Sequence, residues 1–224
     1  MNRDRTTVLL VDDHELARRG LEAMLATAGW ITVLGGAADC LSGVEAVERL
    51  APDIVLLDIK MPDIDGLACL ERLKALERPV AVVIVTLYDD RRYVIDAIRR
   101  GAAGYILKDA ASAEVIATLR DVADGRLAIA PALLREALLT DPEAHPGDRD
   151  ARARAAELSI TAREHEVLTA VAEGMTNKEI GARLGIAEDT VKKHVQNLIW
   201  KLRAADRTQA AVIALRMGVL DLDG

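Results

Sequence analysis

The sequence predicts a doubly wound α/β domain on a five-stranded parallel sheet, followed by a smaller all-α domain. Three observations lead there. Short, β-branched apolar runs alternate with helical patterns through residues 6–126, the arrangement that builds a parallel sheet covered on both faces. Residues 127–157 hold prolines, a glycine and mixed charges, with few large apolar side chains after the first third. After residue 158 the helical period returns without a strand-like run.

The five runs are "TVLLV", "ITVLGGA", "DIVLLD", "AVVIVT" and "GYILK". The helical stretch "HELARRGLEAMLAT" is expected to put Leu16, Leu21, Met24 and Leu25 on one side. "CLSGVEAVERLA" is expected to do the same with Leu41, Val44, Val47 and Leu50. "DGLACLERLKAL", "YVIDAIRRG" and "AEVIATLRDVADG" complete the first domain. "LAIAPALLREALL" reads as a short helix starting near Pro131, and "TDPEAHPGDRDARARAAE" reads as linker. "TAREHEVLTAVAEG", "TNKEIGARLG", "AEDTVKKHVQNLIWKL" and "TQAAVIALRMG" read as four helices over residues 158–224.

No apolar run approaches the roughly 20 residues that span a bilayer, and the N-terminus lacks a secretory leader's long apolar stretch. A cytoplasmic protein is expected, with no membrane partner. Cys40 and Cys69 form no CxxC or ligand cluster and are expected to be reduced thiols. The net charge of −7 falls mainly on the first domain, and residues 158–224 carry nine cations and nine anions. That balance alone does not suggest nucleic acid.

In an open parallel sheet, ligands bind beyond the carboxyl ends of the strands. The first run ends in Asp12 and Asp13, the third in Asp58, the fourth in Thr86 and the fifth in Lys108. Three carboxylates brought together suit a hard divalent cation with oxygen ligands, such as Mg²⁺. A carboxylate is also a nucleophile toward a phosphoryl group. An ammonium and a metal ion then balance charge on the transferring oxygens, and a threonine hydroxyl can hydrogen-bond one of them. Taken singly, Asp12 could equally be a helix cap and Asp58 a turn residue. His14 reads as a solvated first-turn residue, and Lys60 and Tyr88 as flanking residues or plain surface. "MPDIDG" echoes a calcium loop, but aligning Gly66 with the loop glycine puts Met61 and Arg72 at ligand positions. No nucleotide-binding glycine motif follows a strand.

"VDDHE", "LLDIKMPDIDGL", "VTLYDD" and "GAAGYILKD" resemble the receiver domain of two-component response regulators, a flavodoxin-like fold. The resemblance implies that Asp58 is the phosphoacceptor. It implies a Mg²⁺ site made by Asp13, Asp58 and the backbone carbonyl of Lys60, with Asp12 acting through water. It makes Thr86 and Tyr105 a switch pair and a sensor histidine kinase the donor. Leu87 stands where the family usually has a small residue, and Asp109 where many members have proline. A Mg²⁺-dependent phosphohydrolase would use the same acids, but position 60 is lysine rather than a general acid and no substrate cap is evident. A phosphorylation-independent interaction module is the third reading.

"TNKEIGARLG" and "IAEDTVKKHVQNLIWKL" read as helix, turn, helix, with Gly185 ending the first. Val191, Val195, Leu198 and Leu202 form the packing stripe of the second. Lys192, Lys193, Gln196 and Asn197 are left for a DNA major groove. The segment resembles the LuxR-type helix-turn-helix, making the whole chain similar to NarL/FixJ-type response regulators. By that resemblance Lys192, Lys193 and Gln196 face bases, while Thr176, Asn177, Lys178, Thr190 and Lys201 are candidates for phosphate contact on double-stranded DNA. The last helix resembles the one through which such domains dimerise, so a homodimer is expected on phosphorylation or on DNA. Trp200 either stacks on the linker, the first domain or a sugar, or packs against the last helix. No enzymatic activity is expected beyond self-phosphorylation from a donor and slow self-dephosphorylation.

Overall fold

The computed structural model describes residues 5–62, 64–76, 80–87, 91–126, 128–129, 158–204 and 206–220. Tyr88, the helix expected near Pro131 and nearly all of the 127–157 linker lie outside them.

The strands β1 (Thr6–Val11), β2 (Ile31–Ala37), β3 (Ile54–Leu57), β4 (Ala81–Thr86) and β5 (Gly104–Leu107) form one sheet, in the order β2-β1-β3-β4-β5. Every pairing is parallel. The order reverses direction after β1, so β1 and β3 flank the crevice where ligands bind in such sheets. β3 is buried throughout, as its unbroken apolar run requires. β2 is an edge strand, so its middle residues are only partly covered.

The helices α1 (Glu15–Ala26), α2 (Cys40–Leu50), α3 (Gly66–Lys74), α4 (Arg91–Arg99) and α5 (Ser112–Ala123) connect the strands. Asp39 caps α2 by accepting from the Ser42 amide, and Asp65 caps α3 by accepting from the Leu67 amide. Two apolar clusters lie on the two faces of the sheet. One holds Leu9, Val11, Leu57, Ile59, Leu70 and Ile84, the other Val8, Leu10, Leu25, Leu56, Val85 and Leu119. Past α5 the chain returns to the sheet edge, where the Ala128 amide donates to the Ala103 carbonyl.

Two expected core positions differ. Leu16 is 84% exposed and Leu41 57% exposed. At about 100° per residue, Leu16 lies half a turn from the buried Leu25, and Leu41 about a third of a turn from the buried Val47. Both sit in a first turn, on the face turned from the sheet. A third expectation is also overturned. Cys40 and Cys69 are joined in a disulfide, with Cα atoms 5.5 Å apart and a sequence separation of 29. The doubly wound topology lays α2 beside α3, which spacing in the sequence does not reveal.

The second domain comprises α6 (Ala162–Ala172), α7 (Asn177–Leu184), α8 (Glu188–Lys201) and α9 (Arg207–Arg216) around a core including Val167, Ile180, Val191, Leu198 and Ala211. Thr161 and Glu164 form a capping box at the start of α6, and Thr176 and Glu179 form another at the start of α7. α7 ends at Gly185, whose φ of 66° is left-handed and suits glycine.

The domains meet along a seam. Ile98 of α4 and Val212 of α9, 0% and 1% exposed, pack together with Val94, Ile95, Ile129 and Leu215 around them. Lys74, the last residue of α3, pairs with Asp206, the N-cap of α9. Arg126 reaches Glu179 at 2.6 Å.

Among the described glycines of the first domain, Gly66 is the most tightly enclosed. A Cβ there would lie 2.1 Å from the Asp58 carbonyl oxygen and 2.6 Å from Ile59 Cα. Both neighbours are backbone and cannot rotate away. Gly66→Ala is therefore expected to lower stability by about 3 kcal/mol, read as a lower midpoint in urea denaturation.

Candidate functional site

β1 delivers Asp12 and Asp13, β3 delivers Asp58, β4 delivers Thr86 and β5 delivers Lys108 to one edge of the sheet. Asp12, Asp13, His14 and Asp58 each offer a ligand atom, and these atoms lie within 4.8 Å of one another. Asp12 and Asp58 are 3% and 5% exposed. The Lys108 ammonium lies 2.6 Å from Asp12 Oδ2 and 2.9 Å from Asp58 Oδ2. It donates a well-directed hydrogen bond to Asp58. Asp12 Oδ2 it meets as a charge partner, leaving that buried oxygen without an aligned donor.

Burial pushes the Asp58 carboxyl above the ordinary aspartate range, against the pull of Lys108, and the neighbouring Asp12 adds to the push. Burial alone would lower the Lys108 ammonium, but its contacts with the Asp12 and Asp58 carboxylates raise it, so it stays charged. The donor set fits a hard divalent cation: three carboxylates, one with an oxygen lacking an aligned donor, and an excess of negative charge.

The other expected pocket residues are placed as follows. Thr86 is fully buried at the end of β4, and Tyr105 is half-buried against the sheet-face cluster that holds Leu57 and Ile84. The Lys60 backbone amide donates to the Asp58 carboxylate, while its ammonium lies 5.5 Å from the centre of the Tyr93 ring. Leu87 is 73% exposed and stands largely in solvent. His14 is more involved than its sequence position suggested. It is exposed, yet its Nδ1 lies 2.8 Å from Asp13 Oδ1, and its amide donates to Asp12 Oδ1. The adjacency of His14 to the acid pair was the available signal.

In the second domain α8 buries Val191, Val195 and Leu198, with Leu202 just beyond its end, and exposes Lys192, Lys193, Gln196, Asn197 and Thr190. Lys192 is held by Glu188 at 3.0 Å and Asp189 at 3.4 Å. Trp200 is 78% exposed, so packing against the last helix does not cover it. Lys178 is exposed. Asn177 is half-buried, and its Oδ1 accepts from Arg207.

Two expected phosphate contacts have partners within the domain. The Thr176 side chain is buried and closes the capping box of α7, donating to Glu179 and accepting from its amide. Lys201 donates to Glu164 Oε2 at 2.6 Å and to the Ser159 carbonyl at 2.7 Å. Its partner Glu164 is 3% exposed. Burial pushes the Glu164 carboxyl up, but Lys201 and the amide and hydroxyl of Thr161 outweigh it, so its pKa is lowered. Lys201 is thus the counter-ion of a buried acid.

An acidic crevice on a five-stranded parallel sheet, joined to a helix-turn-helix in one chain, defines a regulator in which one domain governs DNA binding by the other. Residues 8–120 match the response regulator receiver domain, and residues 158–214 match the LuxR family of bacterial regulatory proteins. The chain belongs to the response regulators of two-component systems, and is a phosphorylation-dependent transcriptional regulator. It is 37% identical over 209 residues, 93% of this chain and 95% of the relative, to the uncharacterized transcriptional regulatory protein YhcZ of Bacillus subtilis. It is 34% identical over 213 residues, 94% and 95% of the two chains, to the nitrate/nitrite response regulator protein NarL of Escherichia coli. The solved receiver domain of NarL from Mycobacterium tuberculosis superposes with a TM-score of 0.53 at 33% identity, covering 55% of this chain and 99% of that one. No described helix is long and apolar enough to cross a membrane.

Breaking the Lys201–Glu164 pair leaves a buried carboxylate unpaired. Lys201→Met is expected to destabilise the second domain by about 3 kcal/mol while leaving the salt dependence of DNA binding unchanged. Lys193→Ala is expected to do the reverse, keeping the melting temperature and lowering DNA affinity, as fluorescence anisotropy across a salt series would show. Acid has a defined effect too. The lowered pKa of Glu164 contributes stability above the unfolded carboxylate range, and that stability is lost as pH falls through the folded value. The second domain's melting temperature should therefore fall more steeply below about pH 4.5 in wild type than in Glu164→Gln.

Proposed function

We propose that Asp58 accepts a phosphoryl group from a sensor histidine kinase and that the added charge frees the DNA-binding domain to dimerise on double-stranded DNA. What carries this reading is the meeting of Asp12, Asp13 and Asp58 with Lys108 at one strand edge. Asp12, Asp13 and Asp58 would hold Mg²⁺, which would supply charge neutralisation for the transferring oxygens. The Asp58 carboxylate attacks phosphorus and the histidine nitrogen leaves. Lys108 then pairs with a phosphoryl oxygen, and the Thr86 hydroxyl, at the same edge, can donate to another. Neither the protein nor its partner needs a further catalytic group, so the chain acts as acceptor rather than as an enzyme with an external substrate. The expected setting is the cytoplasm, where kinase output and DNA meet.

The seam supports the release step. Val212 of α9 is covered by Ile98 of α4. α4 follows directly on the segment after Thr86, the residue expected to move toward the phosphoryl group. Moving Thr86 and Tyr105 shifts α4, uncovers α9, and gives a second copy access to it.

With acetyl phosphate and Mg²⁺, wild type should gain the mass of one phosphoryl group and become dimeric by light scattering, while Asp58→Asn should do neither. If wild type takes up no phosphoryl group from acetyl phosphate or any kinase, the reading fails. Lys74→Met removes the charge that holds Asp206 at the seam. It should raise DNA affinity in the absence of phosphodonor by roughly tenfold, corresponding to about 1.4 kcal/mol of lost closure. Unchanged affinity would remove the seam from the mechanism.

A further inference from the structure

Helix α3 touches three things that matter to a switch. Its first residue, Gly66, lies against the Asp58 carbonyl. Its last, Lys74, is buried, donates to the Val80 carbonyl at 3.0 Å and pairs with Asp206 of the DNA-binding domain. Between them Cys69 is bonded to Cys40, the first residue of α2. The closed loop from 40 to 69 therefore contains Asp58 itself.

A protein that works on DNA shares its compartment with reducing thiols. Disulfides there are characteristically transient or redox-sensing rather than permanent braces. Both cysteines are buried, 1% and 0% exposed, so exchange requires a local opening. Such an opening is short. Cys40 is in the first turn of α2, beside the exposed Leu41, and unwinding that turn brings its sulfur to solvent.

We propose that Cys40 and Cys69 form a reversible oxidation site whose state sets how firmly α3 is held, and through Lys74 how readily the DNA-binding domain is released. The oxidant is a low-molecular-weight disulfide. The Cys40 thiolate attacks it, expelling one thiol and forming a mixed disulfide. The Cys69 thiolate displaces the second thiol and closes the protein disulfide. Two protein thiols become one disulfide as one small disulfide becomes two thiols, and a dithiol reverses the exchange. Oxidised, α3 is tied to α2 at mid-length and Lys74 is kept at Asp206. Reduced, α3 keeps its packing and the polar contacts of Lys74 but loses its covalent tie to α2, and the seam opens more easily. The coupling half rests on the release reading above, whereas the redox half stands without it.

Two measurements on the full chain test it, neither with a phosphodonor, so a failure of phosphorylation control would not be mistaken for a failure here. In the first, the protein is equilibrated across ratios of reduced to oxidised dithiothreitol, quenched in acid, alkylated and weighed. A single step from no label to two labels, with unchanged circular dichroism, is expected. Two labels at every ratio, or none until the protein unfolds, overturns the redox site. In the second, amide hydrogen exchange is compared between oxidised protein, reduced protein and Cys69→Ala. Exchange in α3 and α9 is expected to be about tenfold faster in the latter two, with α6 unchanged. Equal rates in oxidised and reduced protein overturn the coupling. Should Cys69→Ala not fold, the reduced wild type makes the same comparison.

Discussion

The ammonium of Lys108, lying between Asp12 and Asp58, is the contact on which the rest of the molecule depends. A parallel sheet brings the carboxyl ends of its strands to one edge, and here that edge gathers three acids. Two carboxylates about 4 Å apart at an effective dielectric near 20 repel by about 4 kcal/mol. Lys108 offsets part of that and cannot offset all of it, because one cation faces three acids. The remainder suits the crevice to a divalent cation, while burial, with a smaller push from Asp12, holds the Asp58 carboxyl above the ordinary aspartate range. A phosphoryl group carries close to two negative charges. Once on Asp58 it would compete for Lys108 and draw it from Asp12. The resting contact is therefore also the one that phosphorylation of Asp58 would rewrite.

The seam between the domains is one that the proposed release could open. Its apolar part is small, centred on Ile98 and Val212. Its polar part holds one buried pair, Lys74 with Asp206, one partly exposed pair, Arg126 with Glu179, and Arg207, whose guanidinium donates to the Met175 carbonyl. Burial pushes the Arg207 guanidinium down to about 10, only partly countered by Asp206. The Nε atoms of Arg126 and Arg207 are buried without a partner, and each such group costs about 1–3 kcal/mol. Buried ion pairs roughly break even against their desolvation. Apolar gain and polar cost thus lie close together. A closed state with a small margin can be tipped by one covalent charge, whereas one sealed by a large apolar surface could not.

The fold and the acid crevice were legible because local pattern encodes them. Each strand is a short apolar run, each run of the inner sheet ends in the residue that serves the crevice, and the sheet's handedness does the gathering. The packing stripe of α8 was legible for the same reason: Val191, Val195 and Leu198 recur at helical spacing. What stayed hidden depends on distance in the chain. Lys74 and Asp206 are 132 residues apart, and Arg126 and Glu179 are 53 apart. Neither pair has a local signature, and Lys74 reads as an ordinary helix-end lysine. Lys201 reads as a DNA-facing cation because nothing in the sequence says that Glu164 is buried beneath it. Thr176 carried its own signal, since a threonine three residues before Glu179 is a capping box. The DNA-binding resemblance took precedence over that local rule. Leu16 and Leu41 were misread by counting apolar residues without following their angle round the helix.

The charge of the second domain argues for where control is exercised. Residues 158–224 sum to zero, and Lys192 on the exposed face of α8 is already engaged by Glu188 and Asp189. Most of the affinity of a DNA-binding module comes from phosphate neutralisation and counterion release. A domain with no net charge has less of that to draw on, so one copy is expected to bind weakly even with its recognition helix free. In the closed chain that helix is indeed free: Lys193, Gln196 and Asn197 are exposed. What is covered is α9, through Val212. Under the proposed release, closure would work by denying the second copy rather than by shielding the DNA-reading surface. Two linked weak modules bind far more tightly than either alone, because the second contact is made at high effective concentration. On that proposal an electrically neutral reader would make dimerisation the decisive step, and the seam laid over α9 would place the control there.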